Sequence, residues 1–167
     1  MKRLSNEFFA LDADGGDPIW YLQMLMTIKA SGDRTGGALG LIDLKCPAGK
    51  TPLHVHHRED EGWYLLDGRI TVTCGDDVVS AEPGAFLWLP RDVPHRLRFE
   101  TECHLLQMAI PAGLEVFHQR MGQPAPRIEL PPPGQVLDTE KYHRLAAEQG
   151  LEIIQLPEWD KKEEAKR

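Results

Sequence analysis

Residues 49–62 read GKTPLHVHHREDEG, which places three histidines and three acids within residues 54–61. His54 and His56 stand two apart in a stretch that reads as a strand, so their side chains share one face. Two imidazoles side by side on an inward face suit a borderline divalent metal. His57 follows directly and must point the other way, toward solvent or behind the pair. Glu61 opens the next run, where Glu61, Trp63 and Leu65 alternate onto one face. Spacing alone does not choose the acid, because Glu59, Asp60 and Glu61 all lie within reach of a turn. A further nitrogen comes from His95. It begins a run in which Leu97 and Phe99 are apolar and Arg96 and Arg98 are charged, an alternation that turns His95 inward with the core. His104, His118 and His143 lack any such spacing and read as structural or surface residues.

Strands must position these groups. Gly and Pro punctuate the first two thirds of the chain, and the runs between are short and rich in Val, Ile, Leu, Thr and aromatics. The runs are Ile19–Ala30, Ala38–Leu44, His54–His57, Trp63–Leu66, Ile70–Cys74, Val78–Ser80, Phe86–Leu89, His95–Phe99 and His104–Ile110. Trp20, Tyr21, Thr27 and Ile28 favour a strand over a helix in the first run, and Ser31-Gly32-Asp33 ends it as a turn. Asp67-Gly68 predicts a tight hairpin, and Gly75-Asp76-Asp77 a second. Eight to ten short strands at regular spacing predict an all-β double-sheet jelly roll or barrel. After Pro111 the pattern changes. Residues 112–122 read as a short helix with Leu114, Val116, Phe117 and Met121 as its apolar stripe, ending near Gly122. Residues 123–136 hold five prolines and read as an extended linker. Asp138 caps a predicted helix over 139–149, Gly150 ends it, and Leu151–Leu156 adds an edge strand. The tail 161–167 is expected to fray.

Together the two blocks resemble the cupin motifs. Gly49, His54, His56, Glu61 and Gly68 stand as G-x4-H-x-H-x4-E-x6-G, and Gly84, Pro90, Asp92, His95 and Phe99 stand as G-x5-P-x-D-x2-H-x3-F. Asp92 takes a position where a glycine is common, and Phe99 one where an asparagine is common. The resemblance implies a cupin-type double-stranded β-helix with short C-terminal helices, in which His54, His56, Glu61 and His95 bind a divalent transition metal. Iron, manganese, nickel, cobalt, copper and zinc all accept this donor set, so the metal is left open. Three imidazoles and one carboxylate leave one or two positions free for a ligand. The order of the flanks further resembles small bacterial cupins similar to quercetin 2,3-dioxygenase. That implies cleavage of an aromatic or enolisable ring with dioxygen, Glu61 serving both as ligand and as base. A metal-dependent isomerase, cyclase or lyase of secondary metabolism is a second expectation, and a non-catalytic barrel for small ligands a third.

Composition sets the outer limits. The chain has 167 residues, 41% hydrophobic and 27% charged, with a net charge of −7 from 19 basic and 26 acidic side chains. That fits a domain with a real core, expected as a β-barrel over 1–122 followed by a linker, helix and tail over 123–167 that pack on it. The acidic balance speaks against nucleic acid or an anionic membrane surface as partner. No apolar run approaches the roughly 20 residues that span a bilayer, and the first residues carry no apolar leader, so a cytoplasmic protein is expected. Cys46, Cys74 and Cys103 form no CxxC and imply no disulfide frame. The trio Trp63, Trp88 and Met108 reads as core filling, as do Met24 and Met26. The expected partners are a small-molecule substrate, dioxygen, and a second copy in a homodimer that covers open sheet edges.

Overall fold

Alternating inward and outward residues build two facing antiparallel sheets. The computed structural model describes residues 6–157. Its first elements are β1 (Asp17–Tyr21), β2 (Met24–Ala30), α1 (Gly32–Thr35), β3 (Gly40–Cys46), β4 (Gly49–Lys50) and β5 (Leu53–His56). Next come β6 (Asp60–Asp67), β7 (Ile70–Cys74), β8 (Asp77–Ala81), β9 (Phe86–Leu89), β10 (His95–Phe99) and β11 (Cys103–Ile110). The chain closes with α2 (Leu114–Met121), β12 (Gln123–Pro124), α3 (Thr139–Gln149) and β13 (Leu151–Gln155). One sheet runs β12-β1-β2-β3-β11-β6-β9, and the other runs β13-β5-β10-β7-β8 with β4 beside β10. This is a jelly roll, as the strand spacing predicts. No helix among the described residues is long and apolar enough to cross a membrane.

The core lies between the sheets. Leu65, Leu105, Leu97, Leu44 and Ile70 are all at most 1% exposed. Each comes from a strand whose alternate residues face out, so burial follows the period of two. Fully burying one such side chain contributes about 1.5–3 kcal/mol. At the C-terminal end, Asp138 accepts a hydrogen bond from the Lys141 N–H, and Gly150 closes α3 in the left-handed region at φ 80°. Tyr142, Leu145 and Ala146 are the buried face of α3, and the Tyr142 ring meets Phe117 of α2 at 5.7 Å. Strand β13 then pairs with β5, so the expected edge strand lies directly beside the histidine strand.

Several expectations are corrected. The run 19–30 is two strands, because Leu22 turns the chain back at φ 53° with no turn-forming residue to announce it. Ser31 is followed by the short helix α1 rather than by a plain turn. Asp67-Gly68 is not a hairpin: β6 pairs with β9 and β11, whereas β7 pairs with β8 and β10 in the other sheet. Gly68 does adopt a positive φ of 93°, and a Cβ there would lie 2.4 Å from the Glu102 carbonyl, so it serves a corner between sheets. The Gly75-Asp76 hairpin forms, with Cys74 opposite Asp77. On α2 the buried face is Leu114, Glu115, Phe117 and His118, while Val116 is exposed; the helical period selects 114, 117 and 118. The proline-rich stretch, by contrast, lies against the fold, one of the places open to a linker. Gln123 and Pro124 pair with β1, the Trp20 indole N–H donates to the Glu129 carbonyl at 2.8 Å, and Leu137 is buried. Trp88 is half-exposed on the outer face rather than in the core. The tail 161–167 lies outside the described residues.

Candidate metal centre

His54 and His95 stand directly opposite each other in the β5–β10 ladder. Opposite residues on adjacent strands bring their Cβ atoms within about 5 Å, and the two rings meet at 4.5 Å. His56, two residues along β5, adds a third ring 5.0 Å from His54 and 5.3 Å from His95. Glu61 arrives from β6 in the opposite sheet, and its Oε2 lies 3.2 Å from His95 Nε2 and 3.7 Å from His56 Nε2. One donor atom from each of the four residues lies within 4.8 Å of the others, and all four residues are buried. The four residues singled out in the sequence therefore converge between the two sheets.

Backbone carbonyls set the ring orientations. His54 Nδ1–H donates to the Pro52 carbonyl at 2.8 Å, and His95 Nδ1–H donates to the Val93 carbonyl at 3.0 Å. Each Nε2 is then the nitrogen left for the cluster, an arrangement usual for imidazole that ligates a metal. His95 Nε2 and Glu61 Oε2 face each other at 3.2 Å, a hydrogen bond when that nitrogen carries a proton and the place of a cation when it does not. Burial, with the neighbouring His95 and His56, pushes His54 down to about 3 and keeps it neutral. Burial opposes the charge on Glu61, yet His56 and the other two histidines hold its carboxyl well below the usual range. Burial also opposes the charge on His56, but Glu61 and Glu59 raise it above the ordinary imidazole value. The cluster thus sets a buried carboxylate among three imidazoles, the place a divalent cation would take.

The family model for the cupin domain matches residues 44–109, a span that contains all four converging residues. The chain carries a cupin domain. Quercetin 2,3-dioxygenase from Bacillus subtilis (strain 168) is 25% identical over 118 residues, 70% of this chain and 35% of that protein. The chain thus spans about a third of the length of that curated relative. An RmlC-like cupin from Shewanella frigidimarina NCIMB 400 superimposes with a TM-score of 0.56 at 14% identity, covering 66% of this chain and 98% of the other. A mutant oxalate decarboxylase from Bacillus subtilis gives 0.52 at 15% identity, covering 65% and 32%. These two structures share the fold.

The two sheets, with α2, α3 and the segment before α3, line a cavity of about 720 Å³. His54, His56 and Glu61 face it among Met26, Trp63, Leu97, Phe99 and Phe117, so Met26 and Trp63 serve as wall as well as core. His95 completes the cluster while fully buried. Asp92, where a glycine is common, adopts φ 63°, which Asp tolerates better than most residues. Its carboxylate holds His57 Nδ1 at 2.6 Å, and Glu152 lies 3.2 Å from Nε2, so His57 faces outward as its parity requires.

Three residues near the site go unread in the sequence. Glu59 is 2% exposed; its Oε1 accepts from Gln149 Nε2 at 2.5 Å and its Oε2 lies 3.6 Å from His56 Nδ1. Gln107 Nε2 donates to Glu61 Oε1 at 2.7 Å, fixing the carboxylate from β11. A polar residue in the inward register of an apolar strand was the available signal. His118 is buried on the cavity wall, not on the surface. Asp60 opens β6 and pairs with Arg91 at 2.7 Å. His104 is structural and pairs with Asp43 at 2.8 Å.

Proposed function

We propose that this cupin is a metal-dependent dioxygenase acting on a small aromatic or enolisable compound, with ring cleavage of the quercetinase kind. The observation that carries the reading is the buried quartet itself, opening onto an apolar cavity large enough for a planar organic ligand. His54, His56, Glu61 and His95 would hold the cation. When bound, it supplies Lewis acidity that lowers the pKa of an enol or phenol oxygen and leaves a position for that oxygen. Glu61 then takes the hydroxyl proton. Its Oε2 is the oxygen facing the histidines, so the proton goes to Oε1, beside the Gln107 amide. Because its neighbours hold the Glu61 carboxyl low, it is a weak base and acts only on an acidified hydroxyl. The apolar wall orients the ring and excludes bulk water.

The test is oxygen. Metal-loaded protein is incubated with quercetin under air and under argon, and flavonol absorbance is followed. Air-dependent loss with at least one of manganese, iron, cobalt, nickel or copper supports the reading. No such loss with any of them removes the dioxygenase claim and leaves oxygen-independent chemistry or ligand binding.

We also propose that the domain pairs with a second copy through the outer face of the longer sheet. Its β-ladders align Leu41, Met108, Gly62 and Trp88 in one row, and Leu106, Tyr64 and Phe86 in the next. Phe86 and Trp88 are 56% and 47% exposed, and β9 is the last strand of its sheet. A self-complementary apolar face beside an open edge fits a two-fold dimer.

A further inference from the structure

Buried polar groups almost always find partners, and His118 has none in the protein. It is 8% exposed, and neither Nδ1 nor Nε2 meets a hydrogen-bonding atom among the described residues. Its surroundings are rings: Tyr21 at 5.6 Å and Phe117 at 5.4 Å. The helix holds it in place, since the Gly122 N–H donates to the His118 carbonyl at 2.8 Å. The side chain lines the same cavity as His56 and Glu61. Burial, against the pull of the Glu61 carboxylate, pushes its pKa down to about 4. At neutral pH the ring is therefore uncharged and offers one N–H and one lone pair, both unused. An apolar residue of this size would pack here at less cost, unless something in the cavity uses those two atoms.

We propose that His118 is a recognition residue that hydrogen-bonds a second oxygen of the ligand whose first oxygen lies at the His54, His56, Glu61 and His95 cluster. This rests on the enolisable-ligand reading above and narrows it. The ligand class becomes a planar, mostly apolar molecule carrying at least two separated oxygen groups, hydroxyl or carbonyl. A neutral imidazole can donate to the carbonyl or accept from the hydroxyl, so it selects for an oxygen at that place without demanding a charge. A ligand with oxygen only at its metal-facing end leaves His118 unsatisfied, and is disfavoured by a penalty that the matched ligand avoids.

The experiment uses the zinc-loaded protein and its His118→Phe and His118→Gln variants, with zinc chosen because it has no redox chemistry. The first readout is the unfolding midpoint without ligand. Phe keeps the ring contacts and removes both unpaired nitrogens, so the midpoint should rise by a few degrees. A lower midpoint in His118→Phe overturns the proposal, because the nitrogens then serve the fold through bound water. The second readout is the Kd for quercetin and for 3-hydroxyflavone, by quenching of tryptophan fluorescence under argon. 3-hydroxyflavone shares the metal-facing oxygens but lacks the outlying hydroxyls. His118→Phe should weaken quercetin by roughly tenfold and 3-hydroxyflavone by less than about twofold, with His118→Gln recovering part of the quercetin loss. Equal effects on both probes, or none, overturn the proposal. If the wild type binds neither flavonol, the aromatic-ligand reading has failed, and the unfolding midpoint decides the role of His118 alone.

Discussion

Glu59→Gln isolates the charge behind the metal cluster. The replacement keeps an oxygen for the Gln149 amide and removes only the charge that faces His56 Nδ1 at 3.6 Å. Two full charges at 3.6 Å would interact by about 5 kcal/mol at an effective dielectric near 20, which is an upper bound here. An imidazole bound to a cation is neutral and only polarised, and the contact is too long for a hydrogen bond. The loss should therefore sit at the low end for residues that orient metal ligands, about tenfold in affinity or 1.4 kcal/mol. The sign with pH follows from His56, whose pKa is raised by Glu61 and Glu59 against the effect of burial. Losing Glu59 lowers that pKa and eases competition from protons. The defect should thus be largest near about pH 8 and smaller near about pH 6. Zinc affinity is read by competition against a fluorescent chelator, with circular dichroism to confirm the fold. Wild-type affinity at the higher pH, or a defect that grows on acidification, refutes the reasoning.

Other consequences can be checked together. Glu61→Gln should cost turnover more than bound metal, because the amide can still ligate through oxygen but cannot take a proton; steady-state rates beside elemental analysis separate the two. By contrast His57→Ala should change neither, since the exposed His57 side chain pairs with Asp92 and Glu152 on the side away from the cluster. Metal retention in dialysis should fall as pH drops through the raised pKa of His56, whereas His54, at about 3, adds no competition near neutral pH; pH-independent retention would count against the ligand set. Trp88→Glu should reduce any dimer to monomer in sedimentation equilibrium, and an unchanged mass would remove the outer face as the interface.

The three histidines were legible because strands translate sequence parity into direction, whereas Glu61 was singled out from Glu59 and Asp60 only by the resemblance to the cupin motif. His54 and His56 share a parity, His57 breaks it, and Leu97 and Phe99 fix that of His95, so the inward set could be read before any fold was known. What parity does not encode is which strands meet. Asp67-Gly68 has the chemistry of a hairpin, yet its two strands find better partners in different sheets. Glu59 lies in a bend, where direction is set by the loop and by Gln149, ninety positions away in the chain. His118 was missed because the stripe on α2 was drawn through Val116, and a helix of eight residues tolerates either choice until its neighbours are placed.

Elemental analysis of freshly purified protein, wild type beside His56→Ala, bears most directly on the central claim. The account predicts close to one transition-metal ion per wild-type chain and a loss of at least about tenfold in the variant, since one of four ligands is gone. Equal metal content in the two proteins, or a wild type that takes up no transition metal even when supplied with it, would contradict it.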